Sequence, residues 1–216
     1  MNYATLIQAI KDYTDNTEST FVNNIDNFIG QAERRILMDV DLPVFHKNAS
    51  GTITSSVTYL SKPTDFLTAF SLAIIDSGNV YTYLLPKDVS FMREFNQDTD
   101  TKGTPRYYGH FSEDSFIIAP VPSANFTTEL HYKAAPAQIS SSNTTTWIGD
   151  NADTALLYGC LIEAYTFMKG EADLISLYTG RYESALSSLR KLGELDDRRD
   201  LYRNGNPFIM QQAASR

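Results

Sequence analysis

The sequence predicts an α+β fold in which helices at both ends of the chain enclose a β-rich middle. Apolar residues recur at helical spacing before residue 43, and this spacing returns after residue 150. Between them, β-branched and aromatic residues are broken by Gly, Pro, Asn and Ser. We expect the N- and C-terminal helices to pack antiparallel as a bundle. The predicted divisions are N-terminal helices at 1–42, a β insert at 43–149, C-terminal helices at 150–196 and an extended tail at 197–216.

Two helices are predicted in the N-terminal part. The first has a stripe formed by Tyr3, Leu6, Ile7 and Ile10. The second is capped by Thr17, Ser19 or Thr20, ends before Pro43, and has a stripe formed by Phe21, Ile25, Phe28, Ile29, Ala32 and Ile36. The charged triplet Glu33, Arg34 and Arg35 falls mostly beside or opposite this stripe. We interpret it as a helix face that contacts water or a neighbouring chain, rather than as an active site.

The middle region predicts several short strands with frequent turns. Residues 44–60 read as two strands joined by a turn at Ser50 and Gly51. Residues 76–79 and 112–114 are typical hairpin turns, and residues 127–135 alternate as in a half-buried strand. Pro86 suits the first position of a short helix. This pattern favours a β-sandwich or a small barrel.

The C-terminal part predicts two more helices. Residues 152–169 are apolar almost all round, so we expect this helix to be the most buried one. The last helix carries an apolar side formed by Leu174, Leu177, Tyr178, Tyr182, Leu186 and Leu189. Residues 204–207, Asn-Gly-Asn-Pro, cannot continue a helix.

The composition excludes several function classes. The net charge of −8 argues against a protein that wraps nucleic acid by neutralising phosphates. The single cysteine, Cys160, excludes an internal disulfide. The start of the chain predicts no signal peptide, and no apolar run reaches the length of a membrane span, about 18 residues.

Catalytic motifs are absent from the sequence. There is no G-x-S-x-G, phosphate-binding Gly-Lys-Ser/Thr, H-E-x-x-H or G-x-G-x-x-G pattern. The histidines His46, His110 and His131 lie in predicted strands without the spacing of metal ligands, and Cys160 lies in an apolar helix as a core residue. We therefore predict that the protein is not an enzyme and binds neither a cofactor nor a metal.

Charge is distributed unevenly along the chain. From residue 181 onward there are seven Arg and Lys against five Asp and Glu, whereas the preceding residues hold eleven against twenty-one. The tail combines arginines with apolar anchors, a composition that favours docking to another protein over a frayed end. The candidate docking residues are Arg198, Arg199, Tyr202, Arg203, Phe208 and Ile209.

The sequence resembles the head-to-tail adaptor (connector) proteins of tailed bacteriophages, including the tail tubular protein A and head-completion classes. The resemblance rests on residues 3–45, which contain Gln-Ala-Glu-Arg-Arg-Ile, on residues 151–186, and on residues 192–207. It implies a virion protein of the neck, made in the bacterial host cytoplasm, that assembles as a ring of usually twelve copies.

The resemblance also implies partners for this chain. These are the portal protein on one side and a tail or nozzle protein on the other, with DNA passing through the ring without specific binding during ejection. The docking residues named above would contact the portal, and Glu33, Arg34 and Arg35 would face a neighbouring subunit. One alternative is a tail or baseplate module whose β insert binds host glycan, suggested by the aromatic residues of 80–85 and 106–111. A hydrolase has almost no motif support.

Overall fold

The computed structural model describes the backbone of residues 1–201 and the side chains of residues 1–193. The fold is mixed α+β, as predicted, and divides into two compact units. The helical unit comprises Met1–Pro43 and the described residues from Ala137 onward, and the β unit comprises Val44–Pro136. Residues 137–149, which the sequence analysis placed in the β insert, group with the helical unit.

The helical unit contains six helices among its described residues. They are α1 (Tyr3–Thr14), α2 (Ser19–Val22), α3 (Ile25–Asp39), α5 (Trp147–Asn151), α6 (Asp153–Phe167) and α7 (Ala172–Leu201). Asn2 caps α1 by accepting the Thr5 backbone N–H at 2.9 Å. The last helix, α7, continues five residues beyond the predicted boundary at 196.

The predicted second helix is interrupted, which corrects the sequence analysis. It divides into α2 and α3 at Asn23 and Asn24, and neither helix has a side-chain cap. The Asn24 side-chain amide donates to the Thr20 carbonyl oxygen at 2.8 Å. Asparagine side chains compete with the backbone for such acceptors, so these residues favour a break over helix continuation.

Helix α6 lies at the centre of the helical unit and packs against α1, α3 and α7. Its buried positions surround the helix axis, as its all-round apolar sequence predicts. Gly159 allows a close approach to α3, because a Cβ atom at this position would lie 3.0 Å from the Ala32 Cβ. Cys160 is fully buried and free, as expected of a core residue.

The β unit contains ten strands and the short helix α4 (Val89–Phe95). The strands are β1 (His46–Ile53), β2 (Tyr59–Ser61), β3 (Phe66–Ile75), β4 (Tyr81–Tyr83), β5 (Leu85–Pro86), β6 (Lys102–Gly103), β7 (Tyr107–His110), β8 (Ser115–Ala119), β9 (Val121–Pro122) and β10 (Phe126–Ala134). They form two four-stranded sheets, ordered β1-β10-β3-β4 and β2-β8-β7-β5, and a two-stranded β6-β9 pair.

Both four-stranded sheets contribute to one apolar core. Leu72 and Leu130 come from the first sheet, and Phe116 and Ile118 come from the second. Every second residue of β10 is buried, including Leu130 and Tyr132, which confirms the predicted alternation. The predicted hairpins are confirmed as the antiparallel pairs β3–β4 and β7–β8.

Two local predictions in the β unit are wrong. There is no turn at Ser50 and Gly51, because β1 pairs continuously with β10 across both residues. Instead, Gly51 allows the Thr128 side chain to approach the backbone of β1 closely, because a Cβ atom at this position would lie 2.9 Å from the Thr128 Oγ1. Pro86 lies in β5 and does not begin a helix, since α4 starts after Asp88, whose carboxylate accepts the Phe91 N–H at 2.8 Å.

Within the described residues, no helix combines the length and apolarity needed to cross a membrane.

Candidate functional site

The three side chains of the charged triplet lie in three different environments on α3. Glu33 is buried, Arg34 is exposed and Arg35 is half-buried. The expectation that all three face water or a neighbouring chain is therefore wrong for Glu33. It follows Ile29 by four residues and precedes Ile36 by three, so helical spacing puts it on the apolar stripe. That spacing was the available signal for its burial.

Glu33 is held inside the helical unit by a backbone contact. Its side chain is 3% exposed, and both carboxylate oxygens accept the Ile139 N–H at 3.2 Å. Burial raises the pKa of Glu33 to about 7, and the Ile139 hydrogen bond and the Arg34 charge offset part of this effect. The carboxyl therefore titrates near neutral pH.

Arg35 lies in a groove of about 470 Å³ between α3, α6 and α7. It forms an ion pair with Glu163, and its guanidinium carbon lies 5.9 Å from the centre of the Tyr182 ring. Opposite, Asp39 accepts the Tyr182 hydroxyl at 3.3 Å through its carboxylate and the Arg190 Nε–H at 3.2 Å through its backbone carbonyl. Burial, and then the Asp39 charge, raise the pKa of Tyr182, so its hydroxyl remains a donor.

The groove offers charges of both signs. Arg35 and Arg190 are cations, whereas Asp39, Glu163 and Glu183 are anions. Such a surface suits ion pairing with another protein. Burial raises the pKa of the Cys160 thiol far above its ordinary value, which keeps it protonated and unreactive.

The histidines of the β unit converge only in part. The rings of His46 and His131 lie 5.7 Å apart and both contact Phe70, while His110 contacts Phe66 and Phe116 elsewhere. Among the residues that the structure describes, no three His, Cys, Asp or Glu side chains are arranged to hold a metal ion.

The predicted docking residues fall at the end of the described chain. Arg198 and Arg199 belong to α7, of which the structure describes only the backbone at these two positions. Tyr202, Arg203, Phe208 and Ile209 lie outside the described residues altogether.

Comparison with protein families gives a match over almost the entire sequence. A family model described as SU10 adaptor protein matches residues 1–210. The chain belongs to the SU10 adaptor protein family. The adaptor match confirms the resemblance to bacteriophage adaptors, and it spans both units of the structure. No curated protein matches this adaptor chain.

The Arg35–Glu163 ion pair is expected to contribute measurably to stability. Arg35→Glu places two carboxylates together where the Glu163 side chain is only 15% exposed. We expect the free energy of unfolding to fall by about 2 kcal/mol. Adding Glu163→Arg should restore part of this loss. Denaturant unfolding followed by Trp147 fluorescence measures both, and a double variant no more stable than Arg35→Glu would contradict the pairing.

Proposed function

We propose that this chain is a structural head-to-tail adaptor that forms a ring, of twelve copies, between the portal and the tail in the virion neck. The match of the adaptor family to residues 1–210 carries this proposal. The chain acts by binding neighbouring proteins, without catalysis or a cofactor. In our proposal the helices of the helical unit form a bundle, and the strands of the β unit form a sandwich or a small barrel.

Ring formation needs two different complementary patches on each subunit. Arg34 and the groove around Arg35 supply one such patch in our proposal. Arg34 is exposed, and the groove presents Arg190, Asp39 and Glu183 for pairing with charges on the next copy. Glu33 lies behind this surface and supports it from inside the subunit.

The acidic composition suits a ring through which DNA passes. The chain has 26 Asp and Glu against 18 Lys and Arg, and the resulting net charge of −8 opposes binding to phosphates through counterion release. We propose that the channel wall is net negative and that DNA passes during ejection without specific binding.

The C-terminal segment 197–216 is our candidate for portal binding. Its candidate contacts are Arg198, Arg199, Tyr202, Arg203, Phe208 and Ile209. Arginines give bidentate ion pairs, and the aromatic and aliphatic side chains act as anchors. Support comes from its composition, in which basic and apolar residues follow an acidic body.

Two truncations test the portal-binding segment. We expect a chain that ends at Asp196 to lose binding to purified portal while it keeps the cooperative unfolding of the full chain. A chain that ends at Leu201 retains the whole of α7, including Arg198 and Arg199. Its portal binding distinguishes the contribution of these two arginines from that of the residues after Leu201. Pull-down with the portal and circular dichroism measure binding and fold. Unchanged portal binding by the shorter chain would overturn the docking role.

A second candidate function is glycan binding by the β unit. The rings of Tyr81 and Tyr83 stack with centres 6.4 Å apart, and their side chains are 47% and 63% exposed. Electron microscopy with the portal and a glycan-binding screen distinguish the two functions. A ring on the portal supports the adaptor, whereas a monomer or trimer that binds sugar supports the alternative.

A further inference from the structure

Residues 137–146 form a connector that leads the chain from the β unit back into the helical unit. It follows β10, which ends at Ala134, and precedes α5, which begins at Trp147. Its Ile139 is 4% exposed, and the Ile139 N–H is directed at the Glu33 carboxylate on α3. One turn earlier on α3, Gly30 lies beside the connector: a Cβ atom there would make ordinary van der Waals contact with the Gln138 amide group, at 3.6 Å.

The connector also holds the N-terminal end of the chain. The Thr144 carbonyl accepts the Tyr3 N–H at 2.9 Å, and the Met1 amine donates to the Gly149 carbonyl just beyond the connector. Within the connector, the Asn143 side chain donates to the Gln138 carbonyl at 2.9 Å. This internal hydrogen bond makes the connector a compact loop. The loop is attached to α3 through Ile139 and to the start of α1 through Thr144.

The connector is attached to α3 through the Glu33 carboxylate, which has more acceptor sites than the Ile139 N–H can occupy. Both Glu33 oxygens share the single N–H of Ile139, although an ionised carboxylate has about four acceptor sites. The charged and titratable groups that face it are Arg34 on α3 and the Cys160 thiol on α6. The connector side contributes the uncharged Gln138 and Ile139. Arg34 is exposed, so solvent screens its charge.

We propose that Glu33 is a proton-dependent latch that holds the connector on α3, and that loss of its proton loosens the connector. The Glu33 side chain is buried, its two oxygens share the Ile139 N–H, and this hydrogen bond joins the connector to α3. This inference goes beyond ring assembly, since it concerns a movement inside one subunit.

The direction of the pH effect follows from linkage. With the connector docked, burial raises the pKa of Glu33 from 4.5 to about 7. With the connector released, Glu33 is hydrated and returns toward its ordinary pKa. Between these two pKa values, release frees a proton, so each pH unit raises the opening constant by up to about tenfold. Above the docked pKa, Glu33 is ionised in both states and the effect levels off.

Hydrogen exchange of the Ile139 amide in the full chain tests the latch. After correction for the intrinsic exchange rate, we expect its protection to fall by at least about tenfold between pH 5 and pH 7.5 and then to level off. Glu33→Gln keeps an acceptor oxygen without a titrating group, so its Ile139 protection should not change with pH. Glu171→Gln removes an exposed carboxyl of the helical unit and serves as the matched control, which should retain the wild-type pH dependence.

Measurements on the wild-type chain alone can test the latch, even if Glu33→Gln does not fold. The Leu161 amide lies in buried α6 and reports opening of the whole unit. If Ile139 protection does not change with pH, or falls only in step with Leu161 protection, the latch is wrong. A titration of the Glu33 carboxyl carbon by NMR supports the latch if its midpoint lies near pH 7, and a midpoint near the ordinary value contradicts it.

Discussion

Replacing Phe116 by alanine is expected to lower the free energy of unfolding of the β unit by about 3–5 kcal/mol. Phe116 lies on β8 with no exposed surface. Its ring meets the Phe66 ring edge-on at 5.4 Å and the Tyr108 ring at 5.5 Å between centres. Truncation leaves a cavity between the two sheets that these stiff rings cannot collapse to fill. Hydrogen exchange of the β8 and β10 amides measures the loss.

Phe95→Ala in the same unit provides the control for Phe116→Ala. Phe95 lies at the end of α4, is 49% exposed, and contacts the rings of Phe91 and Tyr107. Because much of its surface is already in water, we expect its removal to cost less than about 1.5 kcal/mol. Equal losses for the two variants would show that Phe116 is not central to the core.

The second large effect is expected at the contact between α3 and α6. Gly159→Leu adds a branched side chain where even a Cβ atom would lie 3.0 Å from the Ala32 Cβ and 3.4 Å from the Tyr182 Cε2. The helices must separate to accommodate it, and we expect a loss of about 3 kcal/mol. Trp147 lies in the same unit, so denaturant unfolding followed by its fluorescence measures this change.

A second helical glycine provides the matched control. Gly180 lies in α7, and a Cβ atom there would have nothing within 4 Å. Gly180→Ala should therefore stabilise the unit by about 0.5–1 kcal/mol through helix propensity alone. If Gly159→Leu were tolerated as well as Gly180→Ala, the close helix contact would be refuted.

Periodic patterns predicted the parts of the fold in which one physical effect dominates. Helix α6 is buried because its sequence is apolar all round, and β10 alternates because one of its faces meets the core. The turns after β3 and β7 carry Gly, Asn, Ser and Asp, whose side chains or backbone freedom favour reversal.

The failures come from residues whose role depends on the partner they meet. Gly51 indicated a turn, but its missing side chain makes room for Thr128 on the neighbouring strand. Glu33 was expected to face water or a neighbouring chain because it is charged. However, it lies at a position of the helix that belongs to the apolar stripe, and its partner is a backbone N–H more than 100 residues away. Local sequence contains neither partner, so only the fold could reveal them.

The division of the helical unit has a consequence for synthesis on the ribosome. Helices α1 to α3 are translated first, but α6, against which α1 and α3 pack, follows only after residues 44–136. At ordinary elongation rates this delay is on the order of 5–20 s. During that interval the apolar stripes of α1 and α3 lack their partner, while the β unit has all its strands and can fold as soon as it emerges. Nascent chains of this protein therefore have a period in which chaperones can bind the N-terminal helices.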